Sequence, residues 1–228
     1  MVRGIKLLAE KRVQGFVSTG NTGALFAAAT IHLKTLPSIH RPGLLTILPT
    51  QTTPLAVIDV GGRVSTNAQG LLQYAHIGAR AMTALFGIPQ PQVGLLNIGE
   101  ESIKGTVELK NAYQLLQNAS GDDWVFKGNI EGRTVFSGNF DVLVTDGFTG
   151  NILLKIAEGI SQFVLDEVAP MLPPDKFRHL QSRFDYREYP GAILCGVEGL
   201  VIKCHGNTGP EGLLKAMLEA RRLIQNQF

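Results

Sequence analysis

The sequence predicts an α/β protein built around a largely parallel β-sheet with helices packed against it. Three observations carry this prediction. Short apolar runs of strand length recur along the chain, a turn of glycine and small polar residues follows each run, and each turn leads into a segment with apolar residues at helical spacing. This alternation is typical of parallel sheets, because their strands are joined by crossover helices.

Four strand–turn–helix units show the pattern. The predicted strands are 15–18, 56–60, 93–96 and 140–144, and the predicted helices are 24–33, 68–86, 106–117 and 152–168. Residues 1–12 add an amphipathic helix before the first strand. Ligands of open α/β sheets bind beyond the carboxyl ends of the strands, and helix starts attract anions. We therefore expect the turns to converge on one sheet edge and form a cleft for a small, phosphate-like anion.

Composition narrows the class of protein further. The chain has 228 residues, enough for one substantial core, and its net charge of +2 with interspersed signs gives no reason to expect a nucleic-acid partner. No segment approaches the ~18 apolar residues that a membrane helix needs, and the N-terminus lacks a signal-peptide pattern. Cys195 and Cys204 have no CxxC spacing and are expected to be reduced. These features predict a cytoplasmic protein.

The order of the motifs along the chain is more specific than any one of them. The motifs are FVSTGNTGAL at 16–25, RP at 41–42, IDVG at 58–61, GLLNIGEE at 94–101 with KG at 104–105, GNIEGR at 128–133, TDGFTGN at 145–151, FDYREYPGA at 184–192 and VIKCHG at 201–206. In this order they closely resemble the bacterial phosphate acyltransferases, the PlsX family. The resemblance covers nearly the whole chain.

The resemblance implies a reaction, in which an acyl-[acyl-carrier protein] and inorganic phosphate give an acyl phosphate and the free carrier protein. The product would feed a membrane glycerol-3-phosphate acyltransferase in phospholipid synthesis. The implied fold is three-layer α/β/α, similar to isocitrate and isopropylmalate dehydrogenases and to phosphotransacetylases. The family also implies a homodimer without metal or organic cofactor, located in the cytoplasm and possibly peripheral at the inner face of the membrane.

The chain also departs from the family pattern. It lacks the usual N-terminal strand and its D-x-M-G-G-D-like turn, so we expect residues 1–228 to form a single acyltransferase domain that is N-terminally incomplete, with a helical excursion around 156–189. Gly62, Arg63 and Ser65 follow the Asp-Val-Gly turn, where relatives often carry Ala-Asn and a later Asp. That turn is therefore expected to differ in what it binds.

Attack of phosphate on a thioester requires that the anion be held, that charge on the carbonyl oxygen be stabilised and that the reactants be aligned. Lys104 is expected to hold phosphate or the developing oxyanion, with Asn97 donating an amide N–H. Asp146 would accept a proton from hydrogenphosphate or orient Lys104, and Asn151 would donate to the substrate. The competing interpretations are a solvated loop lysine for Lys104, an Asx turn or cap for Asn97 and a helix cap for Asp146.

A second set of residues is expected to bind phosphate or substrate. The first turn would form an anion nest through its hydroxyl and amide groups, with Gly20 permitting close backbone approach. Asp59 and Thr149 could equally be helix caps, Lys155 could be a surface lysine, and His205 could be a structural histidine rather than a proton carrier. The full set is Ser18, Gly20, Asn21, Thr22, Asp59, Gly147, Thr149, Lys155 and His205.

Glu100, Glu101 and Glu131 have no spacing suited to a metal, and we interpret them as turn and helix-start carboxylates. Two other functions remain open: a phosphotransacetylase that uses coenzyme A with small acyl groups, and a non-catalytic scaffold partner of a membrane acyltransferase. A nicotinamide-dependent dehydrogenase is disfavoured, because the sequence has no G-x-G-x-x-G fingerprint. Apolar and aromatic groups in 163–172 and 177–189 predict a homodimer, with residues 156–189 at the interface or at an acyl-binding groove beside it.

Overall fold

The computed structural model describes residues 1–37, 39–40, 42–184, 191–206 and 208–225. The strands are β1 (Gly15–Ser18), β2 (Gly43–Leu48), β3 (Leu55–Ile58), β4 (Gln92–Asn97), β5 (Val125–Glu131), β6 (Val142–Val144), β7 (Ala192–Cys195) and β8 (Leu200–Lys203). The helices are α1 (Val2–Ala9), α2 (Thr22–His32), α3 (Ala68–Phe86), α4 (Val107–Ala119), α5 (Gly147–Val168), α6 (Pro174–Phe184) and α7 (Pro210–Gln225).

The strands form one eight-stranded sheet in the order β1-β8-β7-β2-β3-β6-β4-β5. Helices α3, α4 and α7 pack on one face, and α1, α2 and α5 pack on the other. Every residue of β2 and of β3 is buried, as expected for central strands that are covered on both faces and so need apolar residues throughout. The predicted three-layer α/β/α arrangement is confirmed.

The sheet is mixed rather than uniformly parallel. β3, β6, β4 and β5 pair in parallel, and so do β1 and β8. Between these two blocks, β8 with β7, β7 with β2 and β2 with β3 are antiparallel pairs. Three reversals leave β1 and β8 pointing opposite to β3, β4, β5 and β6. The expectation that all four turns lie at one sheet edge is therefore wrong for the turn after β1, which lies at the opposite edge.

The boundaries of the elements agree with the sequence in most places. Helix α3 matches the predicted span, whereas α5 begins at Gly147 rather than at residue 152. The segment Gly147–Gly150 is thus the first turn of a helix, and not a loop before it. After α5, a short 3₁₀ turn at Ala169–Met171 leads into α6. The Tyr186 and Tyr189 side chains, which the dimer prediction also used, lie outside the described residues.

Candidate active site

The loop after β3 is organised around the carboxylate of Asp59, which is fully buried. Its Oδ1 atom accepts hydrogen bonds from the backbone N–H groups of Leu44, Gly61 and Gly62 at 2.8–3.1 Å, and its Oδ2 atom accepts from Arg63 at 2.9 Å. Burial raises the pKa of Asp59, and these hydrogen bonds oppose the rise. The carboxylate therefore shapes the loop, and direct contact of Asp59 with substrate stays a prediction.

Helix α5 starts in close contact with this loop. A Cβ atom on Gly147 would overlap the Arg63 carbonyl oxygen, and one on Gly150 would overlap the Asp59 carbonyl oxygen. The two glycines are three residues apart and so share one face of the helix. Asn151 continues the contact, since its Nδ2 atom donates to the Val60 carbonyl oxygen at 3.1 Å. The glycine spacing in TDGFTGN thus lets the helix backbone approach the β3 loop.

Asp146 is the N-cap of α5. Its Oδ1 atom accepts from the Thr149 backbone N–H at 2.9 Å, and its Oδ2 atom accepts from the Thr149 hydroxyl at 2.9 Å. Both bonds satisfy groups at the helix start, which is the capping interpretation considered for these two residues. A catalytic role for Asp146 and a substrate-binding role for Thr149 stay predictions, and the two side chains are hydrogen-bonded to each other.

The loop after β4 is closed by Asn97. Its Nδ2 atom donates to the Lys104 carbonyl oxygen at 3.1 Å, and its Oδ1 atom accepts from the Ile98 backbone N–H at 2.8 Å. Gly105 has φ +86°, in the left-handed region, and packs directly against the Asn97 amide. The Lys104 ammonium lies 4.0 Å from the Glu101 carboxylate, and its side chain is 46% exposed. The Asn97 side chain therefore holds the loop backbone at Lys104, and the Lys104 side chain itself extends into solvent.

Asn129 is a member of this site that sequence reasoning missed. Its Nδ2 atom donates to the Glu101 carbonyl oxygen at 2.8 Å, which ties the β4 loop to β5. Its Oδ1 atom is buried without a hydrogen-bond partner among the described residues. The GNIEGR motif contains Asn129. Nothing in the sequence, however, indicates that an asparagine within a strand would hydrogen-bond to the loop after the neighbouring strand.

The loops after β3, β6 and β4 are neighbours because the three strands are adjacent in the sheet. Asp59, Asp146 with Gly147 and Thr149, Asn151, Asn97 and Lys104 therefore lie at one sheet edge. These residues include the four that were predicted to be catalytic.

The turn after β1 belongs to a second group at the other edge. The Ser18 hydroxyl accepts from the Gly20 backbone N–H at 3.1 Å, and Asn21 caps α2 by accepting from the Ala24 N–H at 3.0 Å. Thr22 is the first residue of α2. The Cys204 backbone N–H donates to the Ser18 carbonyl oxygen at 2.8 Å. The turn after β8, which begins with His205, therefore lies beside the start of α2.

Helix α5 joins the two groups. Lys155 lies one turn beyond Asn151, a rise of about 6 Å, and its Nζ atom is 2.5 Å from Nε2 of His205. Glu158 contacts both side chains, with Oε2 accepting from Lys155 Nζ at 2.8 Å and Oε1 lying 3.0 Å from His205 Nε2. On the other side, α2 approaches the β3 loop, where the Phe26 ring packs against Gly62. A path along α5 thus runs from the β3 loop through Asn151 and Lys155 to His205.

No group of three or more His, Cys, Asp or Glu side chains among the described residues is arranged to hold a metal ion. Within the same part of the chain, none of the helices combines the length and the apolar character needed to cross a membrane. Cys195 and Cys204 are both free thiols and both buried. Burial raises the pKa of the Cys195 thiol to about 12.

The fold is similar to the α/β fold of solved phosphotransacetylases. It superimposes on a phosphotransacetylase from Streptococcus pyogenes with a TM-score of 0.72 at 18% sequence identity, covering 99% of this chain and 67% of that one. At this identity the likeness concerns the fold alone.

Sequence comparison defines the family. The family model for the fatty acid synthesis protein matches residues 1–228. The chain is 40% identical to the phosphate acyltransferase of Thermobifida fusca, covering 97% of this chain and 65% of that protein. It is 39% identical to the phosphate acyltransferase of Chlamydia pneumoniae, covering 99% and 68% respectively. The chain therefore belongs to this family, as the motif order predicted, and it spans about two thirds of the length of these relatives.

Proposed function

We propose that the chain is an acyltransferase that moves an acyl group from the thioester of acyl-carrier protein to inorganic phosphate, giving an acyl phosphate for phospholipid synthesis. The observation that carries the proposal is the family match, in which proteins named phosphate acyltransferase are about 40% identical over nearly the whole chain. The use of acyl-carrier protein as donor rests on the motif resemblance.

The phosphate is assigned to the group around the start of α2. Lys155 supplies positive charge there beside the imidazole of His205, Lys203 adds a half-buried ammonium, and the helix start presents backbone N–H groups. Asn21 caps α2 with a neutral amide, so an approaching anion meets no carboxylate at that helix end. The start of α5 is less suitable, because its cap is the carboxylate of Asp146.

The reaction itself needs no covalent enzyme intermediate. A phosphate oxygen attacks the thioester carbonyl carbon, the carbonyl oxygen takes up negative charge, and the C–S bond then breaks to release the carrier thiolate, which is protonated from solvent. Lys104 would stabilise the charge on the carbonyl oxygen, and Asn151 would align the acyl group from the side of α5. Because Lys104 and the group assigned to phosphate lie at opposite sheet edges of one copy, the reaction would take place between two copies of the protein, where an antiparallel two-fold contact sets the start of one α5 beside the far end of the other. Asn97 and Asp59 would act indirectly, since their side chains hold the loops that place Lys104 and Asn151.

The donor thioester separates this proposal from a phosphotransacetylase that uses coenzyme A. Steady-state rates of acyl phosphate formation would be compared for one acyl chain carried by acyl-carrier protein and by coenzyme A. We expect a much higher kcat/KM with acyl-carrier protein. Equal values for the two donors would contradict the carrier-protein proposal and would favour a general phosphotransacetylase. A protein that makes acyl phosphate from neither donor would favour the scaffold alternative.

We further propose that the protein acts as a homodimer. Helix α5 carries a stripe of five exposed apolar side chains, which we call the α5 stripe: Phe148, Ile152, Ile156, Ile160 and Phe163. The spacing of three or four residues puts them on one helix face, and each is 42–60% exposed. Contiguous apolar surface of this kind is typical of protein interfaces. A two-fold contact through α5 would bury it and would bring two copies of the path along α5 close together.

The product has a consequence for location. An acyl phosphate is a reactive mixed anhydride, and the motif resemblance implies that it is consumed by acyl transfer to a glycerol phosphate at a membrane. A peripheral position of the protein at the inner face of the membrane, next to a membrane glycerol-3-phosphate acyltransferase, would fit that chemistry.

A further inference from the structure

Glu158 stands out because it contacts both nitrogen-bearing side chains, Lys155 and His205, that the proposed function assigns to phosphate. One oxygen accepts from Lys155 Nζ at 2.8 Å, and the other lies 3.0 Å from His205 Nε2. The Glu158 side chain is 27% exposed, whereas those of Lys155 and His205 are 44% and 52% exposed. The carboxylate is thus the most buried member of the cluster, and the two nitrogen-bearing groups are the members that an anion can reach.

Two groups compete for His205 Nε2. Lys155 Nζ and Glu158 Oε1 both lie within hydrogen-bond distance of this atom. A ring nitrogen of histidine either carries a proton or accepts one, and it cannot do both. If Nε2 accepts from Lys155, it carries a lone pair and no proton. Oε1 of Glu158 then has no hydrogen bond from the ring. If Nε2 carries the proton, Glu158 receives one hydrogen bond from His205 and one from Lys155, and both carboxylate oxygens are satisfied. The 2.5 Å contact between Lys155 Nζ and Nε2 is then a contact between two donors that the same carboxylate holds.

The second arrangement also leaves the other side of the ring available. Among the described residues, none forms a hydrogen bond with Nδ1 of His205. The charged groups in contact with the ring are Lys155 and Glu158 from α5, and the Lys203 ammonium from β8 interacts electrostatically with Lys155. Burial lowers the pKa of Lys203, and the charge of Lys155 lowers it further. Positive charge is therefore concentrated around a half-open position, which is a favourable environment for an anion.

We propose that Glu158 is a positioning residue, which fixes the proton of His205 on Nε2 and holds the Lys155 ammonium, so that the lone pair of His205 Nδ1 accepts from the hydroxyl of hydrogenphosphate and the other N–H bonds of Lys155 face its oxygens. The inference rests on the proposed function for the identity of the anion. Its geometric part, the protonation of the ring, does not depend on catalysis and can be measured separately.

The ring nitrogens report the geometric part directly. ¹⁵N NMR of the His205 ring, at a pH where imidazole is neutral, distinguishes protonated Nδ1 from protonated Nε2. We expect protonated Nε2 in the unmodified protein and in Glu158→Gln, whose amide oxygen can still accept from the ring. In Glu158→Ala, Lys155 becomes the remaining partner of Nε2, so the proton should move to Nδ1. A ring spectrum that is the same in Glu158→Ala as in the unmodified protein would overturn the inference.

Phosphate kinetics test the functional part. We expect Glu158→Ala to raise the KM for phosphate about ten- to hundredfold, the value of hydrogen bonds to a charged group, while the KM for the acyl donor stays within about twofold. The KM for phosphate of Glu158→Gln should lie between those of the unmodified protein and Glu158→Ala. Glu198→Ala is the control, since Glu198 is an exposed glutamate in the turn between β7 and β8, and it should leave both constants unchanged.

The outcomes separate this inference from the proposed function. If the unmodified protein forms acyl phosphate and Glu158→Ala keeps a normal KM for phosphate, the positioning role is wrong and the proposed function stands. If the unmodified protein forms no acyl phosphate, the proposed function fails, and the ring spectrum still decides whether Glu158 sets the proton position on His205.

Discussion

Asp59 and Asn97 both follow buried strands, and both use their side chains to hold the backbone of the loop that comes next. Asp59 accepts four backbone N–H groups, and Asn97 bonds to Ile98 and Lys104. Lys104 differs from them, because its ammonium has, within the described part of the chain, a single contact of 4.0 Å with Glu101 and remains half exposed. Asp59 and Asn97 thus stabilise the loops, whereas the Lys104 side chain is available to contact substrate.

Lys104 is therefore the residue whose replacement should affect turnover most without affecting the fold. Lys104→Met removes the charge and keeps most of the side-chain volume, and we expect kcat to fall by about 10²–10³, as it does when an oxyanion donor is lost. Lys104→Arg should restore little activity, because the guanidinium places its charge differently. The measurement is acyl phosphate formation at saturating phosphate and acyl donor.

Lys110→Met is the control for Lys104, since Lys110 is an exposed lysine on the helix that follows the same loop. It should retain full activity. If Lys104→Met also retained full activity, Lys104 would be an ordinary solvated loop lysine.

At the scale of elements, the contact between α5 and the β3 loop depends on two glycines. A methyl group at Gly147 or Gly150 would overlap a backbone carbonyl oxygen, which cannot move without shifting the loop. We expect Gly147→Ala and Gly150→Ala each to destabilise the protein by about 1–3 kcal/mol, the usual effect of overpacking. Denaturant unfolding measures the change.

Gly159→Ala provides the matched control on the same helix, because a Cβ atom there meets no described atom within 4 Å. Alanine at this position should stabilise the protein by about 0.5–1 kcal/mol through helix propensity. Equal effects at Gly147, Gly150 and Gly159 would contradict a close approach of α5 to the β3 loop.

The sequence predicted the individual elements better than their directions. The units around β1, β3, β4 and β6 were recognisable because each combines an apolar run, a glycine-containing turn and a helical periodicity. The reversal of the sheet was not predictable from these units, since it depends on β2 and β7. Both are short apolar runs that pair antiparallel with their neighbours, and periodicity alone does not encode the direction of such a strand. The early start of α5 was missed because Gly147 and Gly150 resemble turn residues.

The candidate site was predicted in composition but not in layout. The residue types and their turns were identified, while the division into two groups followed only from the strand directions. Glu158 was missed altogether, although Lys155 and Glu158 have the i, i+3 spacing of a helical ion pair. Such pairs are common on exposed helices, so the spacing alone gives no reason to connect them with His205, 47 residues further along the chain.

At the scale of the whole molecule, the α5 stripe predicts self-association. We expect a homodimer by light scattering at low micromolar concentration, and Ile156→Asp combined with Ile160→Asp should give a monomer, because a carboxylate in an apolar interface is costly to bury. Ile31→Asp is the control, since Ile31 is an exposed isoleucine on α2, outside the stripe. A monomeric mass for the unmodified protein would contradict the dimer, and a dimer that survives both stripe substitutions would place the interface elsewhere.

The most direct test of the account is whether acyl transfer depends on phosphate. Purified protein would be incubated with acyl-[acyl-carrier protein], with or without inorganic phosphate, and the products trapped with hydroxylamine beside an enzyme-free control. The account predicts acyl hydroxamate above the control only when phosphate is present, together with an equal amount of free carrier protein. Hydroxamate formation that is independent of phosphate, or release of carrier protein with free fatty acid as the product, would contradict the central claim.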